Sequence, residues 1–171
     1  MAKRRCLTLL KSPHHGNTAK VTRAIADVLG ADVVAPEETP CTRLADYELV
    51  GLASGVYYGR MHEALFAWLH GLPDDHVPAM PAFIVSTSGL PFLAKLWHAP
   101  LRRLAARKGF RVVGEFDCRG FDTWGPLWLA GGLNRSHPDA RDLARAKRFA
   151  AALVSSEETT TARVACAAGN G

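Results

Sequence analysis

The first of four unusual loops, residues 12–18, joins an apolar run to a helical pattern and has the sequence Ser-Pro-His-His-Gly-Asn-Thr. Small and hydroxyl residues before a helix let backbone N–H groups converge on an anion, and the helix dipole adds positive charge. The hydroxyls of Ser12 and Thr18 are suited to donate to phosphate oxygens. The loop has neither a Walker A sequence nor a GxGxxG fingerprint. It therefore indicates phosphate binding or, equally well, a plain helix cap by Asn17 or Thr18.

The second loop, residues 55–59, places Tyr57 and Tyr58 between two glycines. Aromatic rings cover large flat apolar ligands well. Glycine allows backbone conformations that other residues resist. The alternative for either tyrosine is a core position beside a turn.

Two further loops also follow apolar runs. The third, residues 86–92, begins with three hydroxyl residues and a glycine. The fourth, residues 118–124, begins with Cys118, Arg119 and Gly120. We interpret Cys118 as a small buried residue at a strand end.

The sequence does not support several other kinds of site. The four cysteines include no CxxC pair, so neither a zinc knuckle nor a dithiol redox motif is indicated. The seven histidines include no HExxH pattern, and no GxSxG nucleophile elbow is present. A response-regulator receiver needs acidic residues after its first and third strands, where this chain has Ser-Pro and Ser-Gly. We expect no metal site and no catalytic side chain.

Length and composition indicate one globular domain, with 171 residues of which 48% are apolar. The net charge of +5 is modest and does not argue for nucleic-acid binding. No apolar run approaches the roughly 20 residues of a membrane helix. The apolar stretch behind the basic start is too short for a signal peptide. We expect a cytoplasmic protein with reduced thiols, without a membrane or nucleic-acid partner.

Apolar periodicity predicts strands that alternate with helices, which is typical of βαβ units in a parallel sheet. The predicted strands are Arg5–Leu10, Ala31–Ala35, Tyr47–Ala53, Pro81–Ser86 and Arg111–Cys118. The predicted helices are Asn17–Leu29, Met61–Leu72, Leu93–Lys108 and Pro138–Val154. Residues 36–46 are expected to form a loop, and Pro100 to kink its helix or start the second half of it. We expect a domain over residues 1–154 and a disordered tail over 155–171. In such sheets ligands bind at the carboxyl ends of the strands, where the four loops lie.

In these four loops, taken in order, the sequence resembles the flavodoxin family. The resemblance is carried by Gly16-Asn17-Thr18, by the stretch from Ser54 to His62, by Ser86-Thr87-Ser88-Gly89 and by the stretch from Gly114 to Thr123. It covers roughly residues 5–154. It implies an α/β fold, a flavodoxin-like doubly wound five-stranded parallel sheet of order 2-1-3-4-5 with helices on both faces. It also implies noncovalently bound FMN.

The resemblance places the FMN phosphate in the first loop and the isoalloxazine ring against the other three. It implies that Gly55 faces the N5 edge of the flavin, that Leu90 or Phe92 covers a ring face, and that Arg119 approaches the N1–O2 edge or the phosphate. This chain departs from the family pattern by placing His14 and His15 before the glycine, where a phosphate dianion would favour their protonated forms. The implied cofactor-binding residues are Ser12, His14, His15, Gly16, Asn17, Thr18, Ser54, Gly55, Val56, Tyr57, Tyr58, Gly59, Ser86, Thr87, Ser88, Gly89, Arg119 and Gly120.

Three functions agree with these observations. The first is an FMN protein that transfers electrons through its flavin, as a monomer or homodimer. The second is an NAD(P)H-dependent FMN or quinone reductase of the same fold. The third is a cofactor-free interaction module, because fold alone does not determine function.

A basic segment bears on the partner. Residues 76–114 contain no Asp or Glu. The basic residues of this segment are Lys95, Arg102, Arg103, Arg107, Lys108 and Arg111. They suit a docking surface for an acidic redox partner or a nucleotide phosphate, or simply a solvated helix face.

Overall fold

The structure, a computed structural model, describes residues 5–13, 16–39, 41–77, 79–120 and 136–168. The strands are β1 (Cys6–Lys11), β2 (Asp32–Val34), β3 (Leu49–Tyr57), β4 (Arg60–Met61), β5 (Met80–Ser88) and β6 (Phe110–Arg119). The α-helices are α1 (Asn17–Leu29), α2 (Glu63–His70), α3 (Ala94–Arg107) and α4 (Ala140–Ala168). Three short 3-10 helices cover Pro36–Glu38, Cys41–Asp46 and Pro91–Leu93.

The sheet has the order β2-β1-β3-β5-β6, and each neighbouring pair on this path is parallel. This path confirms the predicted doubly wound sheet, with β5 and β6 as the fourth and fifth strands. The prediction of five strands was wrong in one respect. A sixth strand, the two-residue β4, pairs antiparallel with the end of β3.

Helices cover both faces of the sheet, as predicted. Alternate side chains of each strand point to opposite faces, so the sheet carries two apolar cores. One core packs Leu9, Leu52 and Ile84 against α2 and α3. The other core packs Ala53, Phe83 and further buried side chains on the same face of the sheet against α1 and α4.

Several predicted boundaries differ from the structure. Strand β3 continues through the predicted loop to Tyr57, and β5 continues to Ser88. The predicted loop over residues 36–46 contains two 3-10 helices. Helix α3 passes through Pro100 without an interruption. Helix α4 starts at Ala140 and its backbone stays helical to Ala168, where disorder was expected from residue 155.

The domain boundary at residue 154 stays a prediction. In the part of the chain that the structure describes, no helix has both the length and the apolar character needed to cross a bilayer.

Candidate functional site

The strand register brings the four predicted loops to one edge of the sheet. Ser54, three residues before the end of β3, lies beside Lys11 of β1 and Ser86 of β5. Ser88 of β5 lies beside Arg119 of β6. Parallel strands end at the same edge, where doubly wound folds bind their ligands. The predicted site residues that the structure describes are therefore neighbours in space.

The start of α1 is open to a ligand. Gly16 is the N-cap residue, with a left-handed φ of 64°, and among the described residues no side chain caps the helix. Apart from its neighbours in the chain, a Cβ at Gly16 would meet no atom of the described residues within 4 Å. The idea that Asn17 or Thr18 caps this helix is wrong, because both residues lie inside α1 and are buried. His14 and His15 lie outside the described residues.

Two serine hydroxyls at this edge are buried without a partner. Within the described ranges, the Oγ atoms of Ser12 and Ser88 accept and donate no hydrogen bond. Ser12 follows β1, and Ser88 is the last residue of β5. A buried hydroxyl without a partner costs about 1–3 kcal/mol. Such atoms are rare in native proteins and call for an explanation, of which a bound ligand is one.

The end of β5 is attached to the first and fourth loops. The buried hydroxyls of Thr18 and Thr87 share a hydrogen bond of 2.8 Å. The Gly120 N–H donates to the Ser88 carbonyl oxygen at 2.9 Å. A Cβ on Gly120 would lie 3.2 Å from the side chains of Asn17 and Thr87, so the loops pack closely here. The first, third and fourth loops thus form one connected surface.

The second loop is a tight hairpin between β3 and β4. The Ser54 hydroxyl donates to the Gly55 carbonyl at 2.8 Å and accepts from the His62 N–H at 3.0 Å. A Cβ on Gly55 would lie 2.7 Å from the Tyr57 hydroxyl oxygen, so glycine makes room for this ring. The Tyr57 ring also packs edge-on against His62, with ring centroids 5.6 Å apart.

The hairpin turns at Tyr58 and Gly59. Their φ angles are 51° and 76°, which fits the two-residue turn of a twisted hairpin. A bulky residue rarely adopts a positive φ. The Tyr58 side chain is 86% exposed, so the ring extends from the tip of the hairpin into solvent. The Tyr57 ring thus packs against Gly55 and His62, whereas the Tyr58 ring lies in solvent.

A buried hydrogen-bond network supports the third loop, and sequence reasoning missed it. His98 of α3 is 1% exposed. Its Nε2 lies 2.8 Å from the Ser86 Oγ, and its Nδ1 lies 2.9 Å from Glu115 Oε2. Arg102 forms an ion pair with the other oxygen of Glu115. The hydroxyl of Ser86, predicted to serve a cofactor, is thus engaged by His98.

The charge states follow from these contacts. Burial lowers the pKa of His98 even though Glu115 opposes this shift. Burial raises the pKa of Glu115, but hydrogen bonds from Arg102 and His98 outweigh it and hold that pKa below its usual value. Neutral His98 then donates from Nδ1 to Glu115 and accepts the Ser86 hydroxyl proton at Nε2. One signal was present in the sequence: His98 and Arg102 are spaced i, i+4 on one helix face.

Cys118 is buried, in agreement with the prediction. Burial raises the pKa of its thiol to about 12, so it is protonated at neutral pH. Next to it, the Arg119 side chain is exposed at the end of β6.

Three possible metal ligands, His137, Asp139 and Asp142, lie close together before and within α4. Their hydrogen bonds explain this cluster as a helix cap. Asp139 Oδ1 accepts from the Asp142 N–H at 2.9 Å, and Asp142 Oδ2 accepts from the Asp139 N–H at 3.2 Å. This reciprocal pattern is a capping box. Asp142 also bonds His137 Nδ1 at 2.6 Å.

Two of the six basic residues of segment 76–114 are paired with acidic side chains of the protein. Lys108 is buried, and its Nζ donates to the Leu72 carbonyl at 2.6 Å and to Asp74 at 2.7 Å. Arg102 is paired with Glu115. The predicted basic surface is therefore reduced to the remaining residues, among which Lys95, Arg103 and Arg107 are exposed on α3.

Comparisons with known proteins agree with this fold. The family model of a flavodoxin domain matches residues 9–91. An uncharacterized protein of Methanocaldococcus jannaschii is 39% identical over 150 residues, which is 88% of this chain and 98% of the relative. The chain belongs to the flavodoxin-like family.

Two solved structures illustrate the range of proteins with this fold. A flavodoxin of Streptococcus pneumoniae TIGR4 superposes with a TM-score of 0.65 at 15% identity, over 89% of this chain and 99% of its own. An NAD(P)H:quinone oxidoreductase of Methanothermobacter marburgensis superposes with a TM-score of 0.58 at 11% identity, over 87% and 95% of the two chains. At these identities the likeness concerns the fold alone.

The family implies a flavin cofactor, and the residues at this edge fit one. In the described part of the chain, the α1 N-terminus has no side-chain cap and has open space at Gly16, which suits a phosphate. The Ser12 and Ser88 hydroxyls are buried without described partners. Tyr58 and Phe92 expose aromatic rings on two of the loops, 86% and 77% respectively.

Proposed function

We propose that the protein binds FMN noncovalently at this edge and transfers electrons through it. The observation that carries the proposal is the pair of buried hydroxyls, on Ser12 and Ser88, that have no partner among the described residues. They end two strands of the sheet, where a flavin's phosphate and ring would each supply a partner.

The phosphate end of FMN is assigned to the first loop. The N–H groups of Gly16, Asn17 and Thr18 begin a helix that no described side chain caps, and such a helix start attracts a dianion. Ser12 supplies a hydroxyl donor. With Thr87 as donor in their shared bond, the Thr18 hydroxyl hydrogen is available to a phosphate oxygen. His14 and His15 remain proposed contacts.

The ring end is assigned to the other three loops. Gly55, Tyr57 and Tyr58 would line one side, together with the backbone of Val56 and Gly59. Residues 86–89 would contact the pyrimidine edge, where the Ser88 hydroxyl lacks a partner. Arg119 and Gly120 at the end of β6 complete the proposed set. The flavin supplies the redox chemistry, and these residues bind and orient it.

The hydrogen bonds at this edge support a preorganised site. The bond between Thr18 and Thr87 joins the phosphate loop to β5. The Ser86–His98–Glu115 network holds the other face of the same strand end. The ligand would therefore meet loops that are already ordered, which lowers the entropy cost of binding.

The experiment compares FMN with riboflavin, which lacks the phosphate. Flavin-free protein is titrated with each ligand, and quenching of the flavin fluorescence is recorded. We expect one FMN per chain and binding of riboflavin at least about 100-fold weaker, because charge-assisted hydrogen bonds contribute about 1.5–3 kcal/mol each. Equal affinities would contradict the phosphate assignment. Failure of both ligands to bind would favour the interaction module.

Electron transfer is tested separately on the FMN-loaded protein. The flavin is reduced with dithionite under anaerobic conditions, excess reductant is removed, and a one-electron acceptor is added. We expect the oxidised flavin spectrum to return with two acceptor molecules consumed per flavin. A reduced flavin that stays reduced under these conditions would contradict an electron-transfer role.

A further inference from the structure

His98 is a buried titratable residue next to the proposed flavin edge, and the proposed function assigns it no role. Its imidazole lies between Ser86 of β5 and Glu115 of β6. Ser86 precedes Ser88 on β5 by two residues. Because a strand rises about 3.3 Å per residue, roughly 7 Å of strand separate the two serines. A charge on His98 would therefore lie close to the strand end that is assigned to the flavin ring.

The same three residue types form the triads of some hydrolases, in which a serine attacks the substrate. Ser86 is fully buried, so its hydroxyl has no access to a substrate. Nucleophilic catalysis is therefore excluded by geometry. The network is instead suited to hold a proton inside the protein.

The two partners of His98 can bond to either of its protonation states. Neutral His98 donates from Nδ1 to Glu115 and accepts the Ser86 hydroxyl hydrogen at Nε2. A proton added at Nε2 would reverse the second bond, because a serine oxygen accepts as well as it donates. His62 differs, since its Nδ1 accepts the Ala64 N–H at 3.1 Å and a proton on Nδ1 would break this bond. His98 can thus gain a proton and keep both hydrogen bonds.

The charged groups nearest to His98 come from β6 and α3. Glu115 and Asp117 of β6 favour the imidazolium, whereas Arg102 of α3 opposes it. Arg102 and Glu115 form an ion pair, so their charges balance each other. Lys95 of α3 and Arg145 of α4 act on Asp117. The other titratable or charged residues of β4, α2 and β6 are exposed, namely Arg60, Glu63, His70, Arg111 and Arg119.

Asp117 offers a route between His98 and solvent. It is the neighbour of Ser86 in the register of β5 and β6, and it lines a pocket at the protein surface. Burial raises the pKa of its carboxyl group, which therefore binds a proton more readily than an ordinary aspartate does. A proton from water can thus reach the buried network through Asp117.

We propose that His98 takes up a proton from solvent when the bound flavin is reduced, and that this proton balances the negative charge added to the edge. The electrons pass from an external reductant to the flavin, and the proton passes from water to His98 Nε2, where the new N–H bond forms. His98 acts through its charge and through Ser86 without touching the flavin, so it is a positioning residue. The inference rests on the proposed function.

The size of the effect follows from Coulomb's law. At an effective dielectric constant of about 20, a unit negative charge about 10 Å away raises the pKa of a histidine by about one unit. Burial holds the pKa of His98 below its usual value before reduction. Proton uptake is therefore expected between the lower pKa of the oxidised form and the higher pKa of the reduced form.

The first test follows the His98 ring by NMR in protein labelled with nitrogen-15 histidine, and His98→Gln identifies its signals. In FMN-free protein at neutral pH, we expect a proton on Nδ1 and none on Nε2. With FMN bound, reduction by dithionite should raise the titration midpoint of His98 by about one pH unit. Equal midpoints in the oxidised and reduced forms would overturn the proposal. If His98→Gln does not fold, Ser86→Ala replaces it for the assignment.

The second test measures the flavin midpoint potential against pH, because its slope counts the protons taken up per electron. Between the two pKa values of His98, the unmodified protein should take up as much as one proton more per flavin than His98→Gln. The matched control is His70→Gln, which replaces an exposed histidine in the last turn of α2 and should keep the slope of the unmodified protein. A purely structural role would shift the potential and leave its slope unchanged. The same slope in all three proteins would contradict the proposal.

FMN titration of the unmodified protein separates the two proposals. If FMN does not bind, the proposed function is rejected, and this inference is rejected with it. If FMN binds and the His98 titration is the same before and after reduction, only the role of His98 is rejected.

Discussion

The Ser88 hydroxyl, which has no described partner, predicts that Ser88→Ala does not destabilise the FMN-free protein but weakens FMN binding. Ser88 is 6% exposed and its Oγ has no described partner. Ser88→Ala removes a buried polar atom that makes no hydrogen bond, and it leaves no other group unsatisfied. The FMN-free variant should therefore be as stable as the unmodified protein or more stable, by up to about 1 kcal/mol.

The same change should weaken FMN binding. If the Ser88 hydroxyl bonds the flavin, its loss removes one hydrogen bond worth about 0.5–1.5 kcal/mol, or roughly a 2- to 12-fold rise in Kd. Stability is measured by urea unfolding of the FMN-free protein, followed by tryptophan fluorescence. Affinity is measured by quenching of flavin fluorescence.

Ser54 is a matched control, since it is a buried serine at the same edge with a satisfied hydroxyl. Ser54→Ala deprives the Gly55 carbonyl and the His62 N–H of their bonds to the Ser54 Oγ. It should destabilise the FMN-free protein by about 1–3 kcal/mol. Two results would refute the reasoning: Ser88→Ala destabilises as much as Ser54→Ala, or it leaves the Kd for FMN unchanged.

Three further predictions concern the supporting structure. Thr18→Val and Thr87→Val should each lower the free energy of unfolding of the FMN-free protein, measured in urea, by about 1–3 kcal/mol. The double variant should lose much less stability than the sum of the two, because neither hydroxyl is then left without its partner. Strictly additive losses would contradict the shared hydrogen bond. The pKa of His98 is lowered from 6.5 in the folded state, so between that lowered pKa and 6.5 the unfolded chain binds the proton more readily than the folded chain. In this window stability should fall with decreasing pH, by up to about 1.4 kcal/mol per pH unit. His98→Gln should remove this component from the pH profile of unfolding, and an unchanged slope would show that His98 is not neutral in the fold. Gly51→Ala would place a Cβ 2.5 Å from the Phe83 ring, and this overpacking should lower the free energy of unfolding by about 1–3 kcal/mol. Thermal unfolding should therefore show a lower melting temperature, and an unchanged melting temperature would mean that the ring can move.

Local sequence patterns were sufficient to predict most of the fold. Short apolar runs alternating with helical periodicity predicted the five strands of the parallel path and the four helices. The places where prediction was wrong have identifiable causes. Ser54 and Gly55 suggested a turn, but the chain stays extended because Ser54 and His62 join the two arms of a hairpin. Disorder was expected from residue 155 on composition, while the backbone of α4 continues to Ala168.

The candidate site was predicted as a set of loops rather than as a set of contacts. Thr18 and Thr87 were expected at one edge, yet their bond spans 69 residues of sequence and depends on how α1 packs on β5. His98 was not predicted as part of the site, because it lies on α3 and its partners come from β5 and β6. Such pairings arise from tertiary packing, which no local pattern encodes.

The central claim, that this edge holds FMN, is tested most directly by the visible absorption spectrum of the purified protein after FMN is added and free flavin is removed by gel filtration. The account predicts that flavin bands stay with the protein at close to one FMN per chain. A protein that leaves the column colourless would contradict it.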